Sequence, residues 1–102
     1  CIGGFGEKNN LEIVENICEI LDRNLKKDFN HKKLIKFVKD RPGHDKRYSI
    51  NPSKIKNKLG WFPKYSFDEG LEKTVEWYLN NLSWFKNNLD TKKYNLERLG
   101  RI

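Results

Sequence analysis

The sequence contains no methionine or alanine, and only two cysteines and three prolines in 102 residues. Cys1 and Cys18 lack C-x-x-C spacing, which argues against a disulfide scaffold or a zinc site and favours a reducing, cytoplasmic setting. No apolar run reaches the roughly 18 residues of a membrane span. A translated chain begins with Met, whereas this one begins Cys1-Ile2-Gly3-Gly4, so we expect the C-terminal part of a longer protein.

The chain is basic and has a modest apolar content. Lys and Arg number 21 against 14 acidic residues, a net charge of +7. Leu, Ile, Val and Phe supply 28 residues, enough for one small core and one domain over residues 1–102. The aromatic residues lie mostly at helix-core spacing, not on a strand face where bases could stack. Solvated surface charge is therefore favoured, and nucleic acid is not expected as a partner.

Capping patterns predict where the helices begin. Asn9 and Glu12 form a capping box before apolar residues at helical spacing. A second helix is expected to start at Asn51-Pro52 and to stop at Gly60. A box at Ser66-Phe67-Asp68-Glu69 predicts the longest helix, ending near Asn87-Asn88 and Asp90. Its inner face is predicted to be Leu71, Val75, Leu79 and Leu82, with an aromatic layer of Trp61, Phe62 and Trp77.

Short strands are predicted between the helices. The chain starts as a strand end, Cys1 to Gly6, that runs into a glycine turn. Leu34 to Val38 is a β-branched and aromatic run, and Arg47 to Ile50 is a second short candidate. The stretch from Lys26 to Lys33 is predicted to be a loop in which His31 is solvated.

Two possible cofactor sites are disfavoured by their spacing. Gly3-Gly4-Phe5-Gly6 resembles part of a dinucleotide fingerprint, but the next glycine of G-x-G-x-x-G is Asn9 here, so a strand-to-helix turn is favoured. His31 and His44 are thirteen residues apart without a neighbouring Cys or His, so no metal site is predicted.

The segment Asp40 to Tyr48 is the best candidate for chemistry. Arg41 and Arg47 flank a Pro-Gly turn, and His44 lies between them. A guanidinium can donate two parallel hydrogen bonds to a phosphate-like group. The alternative is a surface turn whose arginines form salt bridges with acidic residues of the same segment. The chemistry of the residues favours neither reading.

This segment also carries a family resemblance. With Ser53-Lys54, Leu59-Gly60-Trp61, Pro63 and Thr74-Val75-Glu76-Trp77-Tyr78, it resembles the C-terminal third of the extended short-chain dehydrogenases that act on sugar nucleotides. Three further features are more typical of the dTDP-sugar 4,6-dehydratases within that family: Arg41-Pro42-Gly43-His44-Asp45, the upstream Gly3-Gly4, Glu7-Lys8 and Asn10-Leu11, and the terminal Glu97-Arg98-Leu99-Gly100. The resemblance extends over essentially the whole chain.

The resemblance implies an α/β fold: the C-terminal substrate-binding lobe, with mixed helices and short strands, of an NAD(P)-binding Rossmann-type dehydrogenase. It implies that Asn10, Arg41 and His44 bind a dTDP-sugar, with Arg41 on the diphosphate, and that Arg47 and Tyr48 support the turn. The expected partners are the protein's own N-terminal Rossmann domain, which would carry NAD, and a second copy in a homodimer. No membrane partner is expected.

The family's catalytic pair, Tyr-x-x-x-Lys, does not occur in the 102 residues, so no catalytic or cofactor-binding residue is assigned. The intact enzyme would oxidise the sugar at C4, eliminate water across C5 and C6, and return the hydride at C6. The 102-residue chain by itself is expected to be inactive. Three alternatives stay open: another sugar-nucleotide epimerase or decarboxylase, a small basic nucleic-acid-binding module, and an enzymatically dead remnant.

Overall fold

The computed structural model describes residues 1–26 and 28–91. They form four α-helices and one 3-10 helix, in the order α1 (Asn10–Leu25), the 3-10 helix (His31–Leu34), α2 (Ser53–Leu59), α3 (Phe67–Asn80) and α4 (Leu82–Thr91). None of the helices in these residues is both long and apolar enough to cross a bilayer. The Glu97–Gly100 part of the resemblance lies outside the described residues.

The start of α1 confirms the predicted capping box. The Asn9 side chain accepts a hydrogen bond from the Glu12 amide at 2.9 Å, and the Glu12 carboxylate accepts one from the Asn9 amide at 2.8 Å. The helix stops at Lys26, which adopts a left-handed conformation with φ of 45°. Within the helix, Cys18 and Ile20 are buried, and burial raises the pKa of the Cys18 thiol. The hydrogen bonds of the Asn9–Glu12 capping box fix where α1 begins.

The predicted second helix is also confirmed, with Pro52 immediately before α2 and Gly60 after it. Gly60 has φ of 65°, and its amide donates to the Lys56 carbonyl at 2.8 Å. Glycine adopts this left-handed conformation without a Cβ clash, which is why the helix stops there. In the described part of the chain, α2 packs closely against no other helix.

The Ser66–Glu69 capping box is confirmed, but the single long helix is wrong, because the chain breaks at Asn81 into α3 and α4. The Asn81 side-chain amide donates to the Trp77 carbonyl at 2.7 Å, and the Asn81 backbone amide donates to the Tyr78 carbonyl at 3.2 Å. Asparagine side chains compete in this way with the regular helical hydrogen bonds.

The predicted inner face of α3 is only partly confirmed. Val75 is buried, at 8% exposure, and Leu71 and Leu79 are half-buried. The remaining members of the predicted face and aromatic layer are exposed: Leu82, Trp61, Phe62 and Trp77. Instead of facing inward, the Trp77 ring contacts the Trp84 ring edge-on, with 5.2 Å between the ring centroids.

The predicted strands are not formed, since no residue in 1–26 or 28–91 belongs to a hydrogen-bonded β-strand. Ile35 is extended, with φ of −66° and ψ of 125°, yet Phe37 and Val38 beyond it are 86% and 69% exposed. A strand needs a neighbouring strand for its backbone hydrogen bonds, and the described residues supply none. The mixed helix-and-strand composition is therefore not confirmed.

The 3-10 helix packs on α1 through charged groups. His31 Nδ1 lies 2.5 Å from Asp22 Oδ1, and the His31 amide donates to the same oxygen at 3.1 Å. Lys32 Nζ donates to Glu19 at 2.7 Å. The expectation that His31 is solvated is wrong, because its side chain is only 17% exposed and Phe29 packs edge-on against its ring.

Close packing joins α1 to α3 and to the 3-10 helix, and α3 to α4. The radius of gyration is 17.0 Å, against about 13 Å for a compact domain of 100 residues. Many large apolar side chains are exposed, among them Ile2, Phe5, Phe37, Tyr48 and Leu59. The chain therefore encloses a small core and leaves much apolar surface uncovered.

The small core makes Val75 a sensitive position. We expect Val75→Asp to lower the free energy of unfolding by about 3–5 kcal/mol, because it places an unpaired charge in a buried site. Urea denaturation followed by circular dichroism measures the change. The exposed neighbour serves as control, since Thr74→Asp adds the same charge outside the core. Equal stability of the two variants would show that Val75 is not a core residue.

The Asp22–His31 pair predicts a dependence of stability on acidity. The hydrogen bond from His31 lowers the pKa of Asp22 below its usual value. The stabilisation is therefore fully present above the usual aspartate pKa, about pH 4, and is lost as the pH falls through the lowered value. We expect Asp22→Asn to make the acid loss of stability shallower in urea titrations below pH 4. The matched variant Asp28→Asn should keep the steep loss, and a steep loss in Asp22→Asn would contradict the assignment.

Candidate functional site

One side of the candidate site is the start of α1. Asn10 is the first residue of the helix and is exposed, directly after the capping residue Asn9. The capping box occupies the amide of Glu12, and the Ile13 amide donates to the Asn9 carbonyl at 3.1 Å. The first amides of the helix and its dipole favour an anion at this end.

The other side is the turn from Asp40 to Tyr48. The Asp40 carboxylate accepts hydrogen bonds from the Arg41 amide and from His44 Nδ1, both at 2.8 Å. These bonds, that of His44 first, lower the pKa of Asp40 below its usual value. Gly43 reverses the direction of the chain with φ of 68°, a backbone conformation that residues with a Cβ rarely adopt. Asp40 thereby fixes both the backbone before the turn and the imidazole after it.

The arginines of the turn form no salt bridge with its aspartates. Asp45 accepts a hydrogen bond from the Tyr48 hydroxyl at 2.8 Å, while Asp40 bonds to His44. Arg47 pairs with Glu7, which is 40 residues away in sequence. In residues 1–26 and 28–91, the Arg41 guanidinium has no ion-pair partner. Among the described residues, the expected salt bridges between these arginines and the aspartates of the turn are therefore not formed, and Arg41 is exposed.

Glu7 connects the two sides. One carboxylate oxygen accepts from the Ser49 hydroxyl at 2.6 Å, and the other accepts from the Arg47 guanidinium. These contacts, that of Ser49 first, lower the pKa of Glu7. The sequence alone gives Glu7 no role beyond its place in the resemblance. Its partners lie about 40 residues downstream, and no local pattern indicates them.

The two sides enclose an open groove of about 910 Å³. Asn10 and His44 both line it, so the structure brings these two predicted site residues together. Arg41 is exposed and is not one of the lining residues. Glycines, Ile13, Ile50 and Phe67 form the apolar part of the groove.

The charged groups of the groove differ in whether they have a partner within the chain. Its three carboxylates, those of Glu7, Asp40 and Asp45, are all engaged by groups of the chain itself. Lys8 and Lys46 also line the groove, and neither ammonium has a hydrogen-bond or ion-pair partner within the described part of the chain. Apart from His44, the formal charges of the lining balance, with Lys8, Lys46 and Arg47 against Glu7, Asp40 and Asp45. The two charged groups without a partner are both positive. In the sequence, Lys8 stands out only as part of the family pattern, and no pattern gives Lys46 a role.

Neither metal nor catalytic chemistry is visible at this site. Among residues 1–26 and 28–91, no three His, Cys, Asp or Glu side chains come together as a metal site would require. Tyr48, the tyrosine of the groove, is followed four residues later by Pro52 rather than by lysine. What the groove offers a ligand is the exposed Asn10 side chain, the His44 ring and the ammonium groups of Lys8 and Lys46.

Known proteins resemble this chain over most of its length. Residues 1–74 match a family model described as GDP-mannose 4,6 dehydratase. The dTDP-glucose 4,6-dehydratase 1 of Escherichia coli K12 is 49% identical over 80 residues, which are 78% of this chain and 22% of that protein. The dTDP-glucose 4,6-dehydratase of Haemophilus influenzae is 52% identical over 86 residues, 80% of this chain and 25% of that one.

A solved structure gives the same result. The crystal structure of dTDP-glucose 4,6-dehydratase from Bacillus anthracis, in complex with NAD, matches with a TM-score of 0.68 and 48% identity. The match covers 84% of this chain and 25% of that one. The chain thus spans about a quarter of the length of its relatives, and the expected fold class is confirmed at the level of a Rossmann-type short-chain dehydrogenase. The chain belongs to the GDP-mannose 4,6 dehydratase family.

Proposed function

We propose that this chain is the nucleotide-sugar-binding lobe of a dTDP-glucose 4,6-dehydratase. The complete enzyme, meaning this lobe together with a Rossmann domain, would convert dTDP-glucose into dTDP-4-keto-6-deoxyglucose and would be a lyase. The family description names a GDP-sugar, but the relatives near 50% identity carry the dTDP-glucose name. We therefore choose the dTDP-sugar as substrate.

The observation that carries the proposal is the groove between Asn10 and His44. Its carboxylates are hydrogen-bonded within the chain, and its charged groups without a partner among the described residues, Lys8 and Lys46, are both positive. A nucleoside diphosphate presents the complementary groups: negative oxygens for the charged side, and neutral polar atoms for Asn10 and His44. We assign the diphosphate of the dTDP-sugar to this place.

Arg41 supplies the strongest diphosphate contact in this proposal. Its backbone is fixed by the hydrogen bond to Asp40, and its guanidinium is exposed beside the Pro42-Gly43 turn. A planar guanidinium can bind two phosphate oxygens at once, which a lysine ammonium cannot do. Because Arg41 does not line the groove in this structure, we propose that its side chain reaches the ligand from the rim.

The cofactor would be bound elsewhere in the complete enzyme. This chain has neither a complete G-x-G-x-x-G loop nor the Tyr-x-x-x-Lys pair, so its residues do not form an NAD site. NAD bound by the Rossmann domain would carry the hydride between C4 and C6. The part of this chain is to bind and orient the nucleotide end of the substrate.

The uncovered apolar surface supports packing of the lobe on that Rossmann domain. Ile2, Phe37, Val38 and Leu59 are each more than two-thirds exposed, and burying such side chains is worth about 1.5–3 kcal/mol each. We further propose that residues 34–38 and 47–50 become short strands when a neighbouring strand is present. A homodimeric, cytoplasmic enzyme stays a prediction from the family resemblance.

Arg41 provides the test. In the complete enzyme, we expect Arg41→Ala to weaken dTDP binding by about 2 kcal/mol, the scale of a lost charged hydrogen bond. Arg41→Lys should recover part of the loss, because an ammonium keeps the charge but loses the fork. Isothermal titration calorimetry with dTDP measures both, and formation of the 4-keto product from dTDP-glucose checks activity.

Lys36→Ala is the matched control, since it removes one positive charge five residues upstream in the same exposed segment. It should leave the affinity for dTDP unchanged. An Arg41→Ala variant that binds dTDP as tightly as the unsubstituted enzyme would remove Arg41 from the site.

A further inference from the structure

The two sides of the groove are far apart in sequence, and no helix pair joins them. The close helix contacts of the described residues link α1 with α3 and with the 3-10 helix, and α3 with α4. The turn from Asp40 to Tyr48 belongs to none of these. Something other than helix packing must therefore hold His44 and Asn10 at the same groove.

Glu7 makes the polar connection. It lies two residues before Asn9, and it bonds to Ser49 through one oxygen and to Arg47 through the other. Because the two carboxylate oxygens bond to two different groups, the plane of the carboxylate is fixed as well as its position. A displacement of the turn relative to α1 would break both contacts.

A close apolar approach accompanies this connection. Gly3 lies so near Ile50 that a Cβ at Gly3 would be 3.1 Å from the Ile50 side chain. The segment around Glu7 thus meets the 47–50 segment at two places: Gly3 lies against Ile50, and Glu7 bonds to Ser49 and Arg47. Asn10 and His44 line the same groove.

We propose that Glu7 is a positioning residue for nucleotide binding: through Arg47 and Ser49 it sets the width of the groove in which Asn10 and His44 meet the ligand. The inference rests on the proposed function and deepens it. It also assigns Arg47 to Glu7 and not to the diphosphate. Glu7 itself does not touch the ligand.

Charge alone predicts the opposite change in the affinity for dTDP. Glu7→Gln removes a negative charge from a groove that binds an anion, and by electrostatics this should tighten dTDP binding. If Glu7 positions the turn, the same substitution should weaken binding, because a neutral amide loses the ion pair with Arg47. The sign of the change in Kd separates the two.

The measurement is dTDP binding to the complete enzyme by isothermal titration calorimetry. We expect Glu7→Gln and Arg47→Gln each to raise Kd about three- to tenfold, and the double variant to be no worse than either single one. The exchanged pair, Glu7→Arg with Arg47→Glu, keeps the net charge and should restore most of the affinity. With dTDP-glucose, KM should rise in the single variants while kcat stays within about twofold.

Two controls separate positioning from charge and from stability. Asp45→Asn removes a negative charge from the same groove without touching the Glu7 contacts, and it should bind dTDP at least as tightly as the unsubstituted enzyme. Glu72→Gln breaks a different exposed ion pair, Arg23–Glu72 at 3.5 Å, and should leave Kd unchanged. The Glu7 and Arg47 side chains are 60% and 70% exposed, so all these variants should melt at nearly the same temperature.

Tighter or unchanged dTDP binding by Glu7→Gln overturns the inference, as does failure of the exchanged pair to regain affinity. Those results leave the proposed function intact if the unsubstituted enzyme binds dTDP. Absence of dTDP binding by the unsubstituted enzyme overturns the proposed function, and the inference with it.

Discussion

The packing of α1 against α3 is the interaction on which the rest of this structure depends. The most buried apolar side chains, Cys18, Ile20 and Val75, lie on these two helices, and the helices contact each other directly. The 3-10 helix is attached to α1, and α4 is attached to α3. Because α1 is fixed in this way, its first residues, which form one side of the groove, have a defined position. A core this small contributes little to the free energy of unfolding, so packing against further elements should add stability.

Features determined by near neighbours in sequence could be predicted, and the structure confirms them. The capping boxes at Asn9 and Ser66 and the stop at Gly60 depend on hydrogen bonds within four residues. The break at Asn81 is also local, yet the apolar spacing continues through it and hides it. The strands predicted at 34–38 and 47–50 are not formed, and here the reason is not local. A strand needs backbone hydrogen bonds from a neighbouring strand, and the described residues supply none.

The candidate site shows the same division. The sequence, through its family pattern, indicated Asn10, Arg41 and His44, and two of these three line one groove. It gave no indication that Glu7 joins the two sides, because Glu7 and Arg47 are 40 residues apart. Nor could it decide between salt bridges within the turn and arginines free for a ligand. In the structure each acidic residue of the groove bonds to another group, Arg47 pairs with Glu7, and Arg41 has no ion-pair partner among the described residues.

The groove is therefore best understood as a site whose carboxylates bond to groups of the chain itself, while the ammonium groups of Lys8 and Lys46 have no partner among the described residues. The most direct test is an electron-density map of the complete enzyme with dTDP bound. The account predicts the diphosphate between Asn10 and His44 with the Arg41 guanidinium on its oxygens, while Arg47 still pairs with Glu7. A diphosphate bound away from this groove, or an Arg47 that has left Glu7 to bind it, would contradict the account.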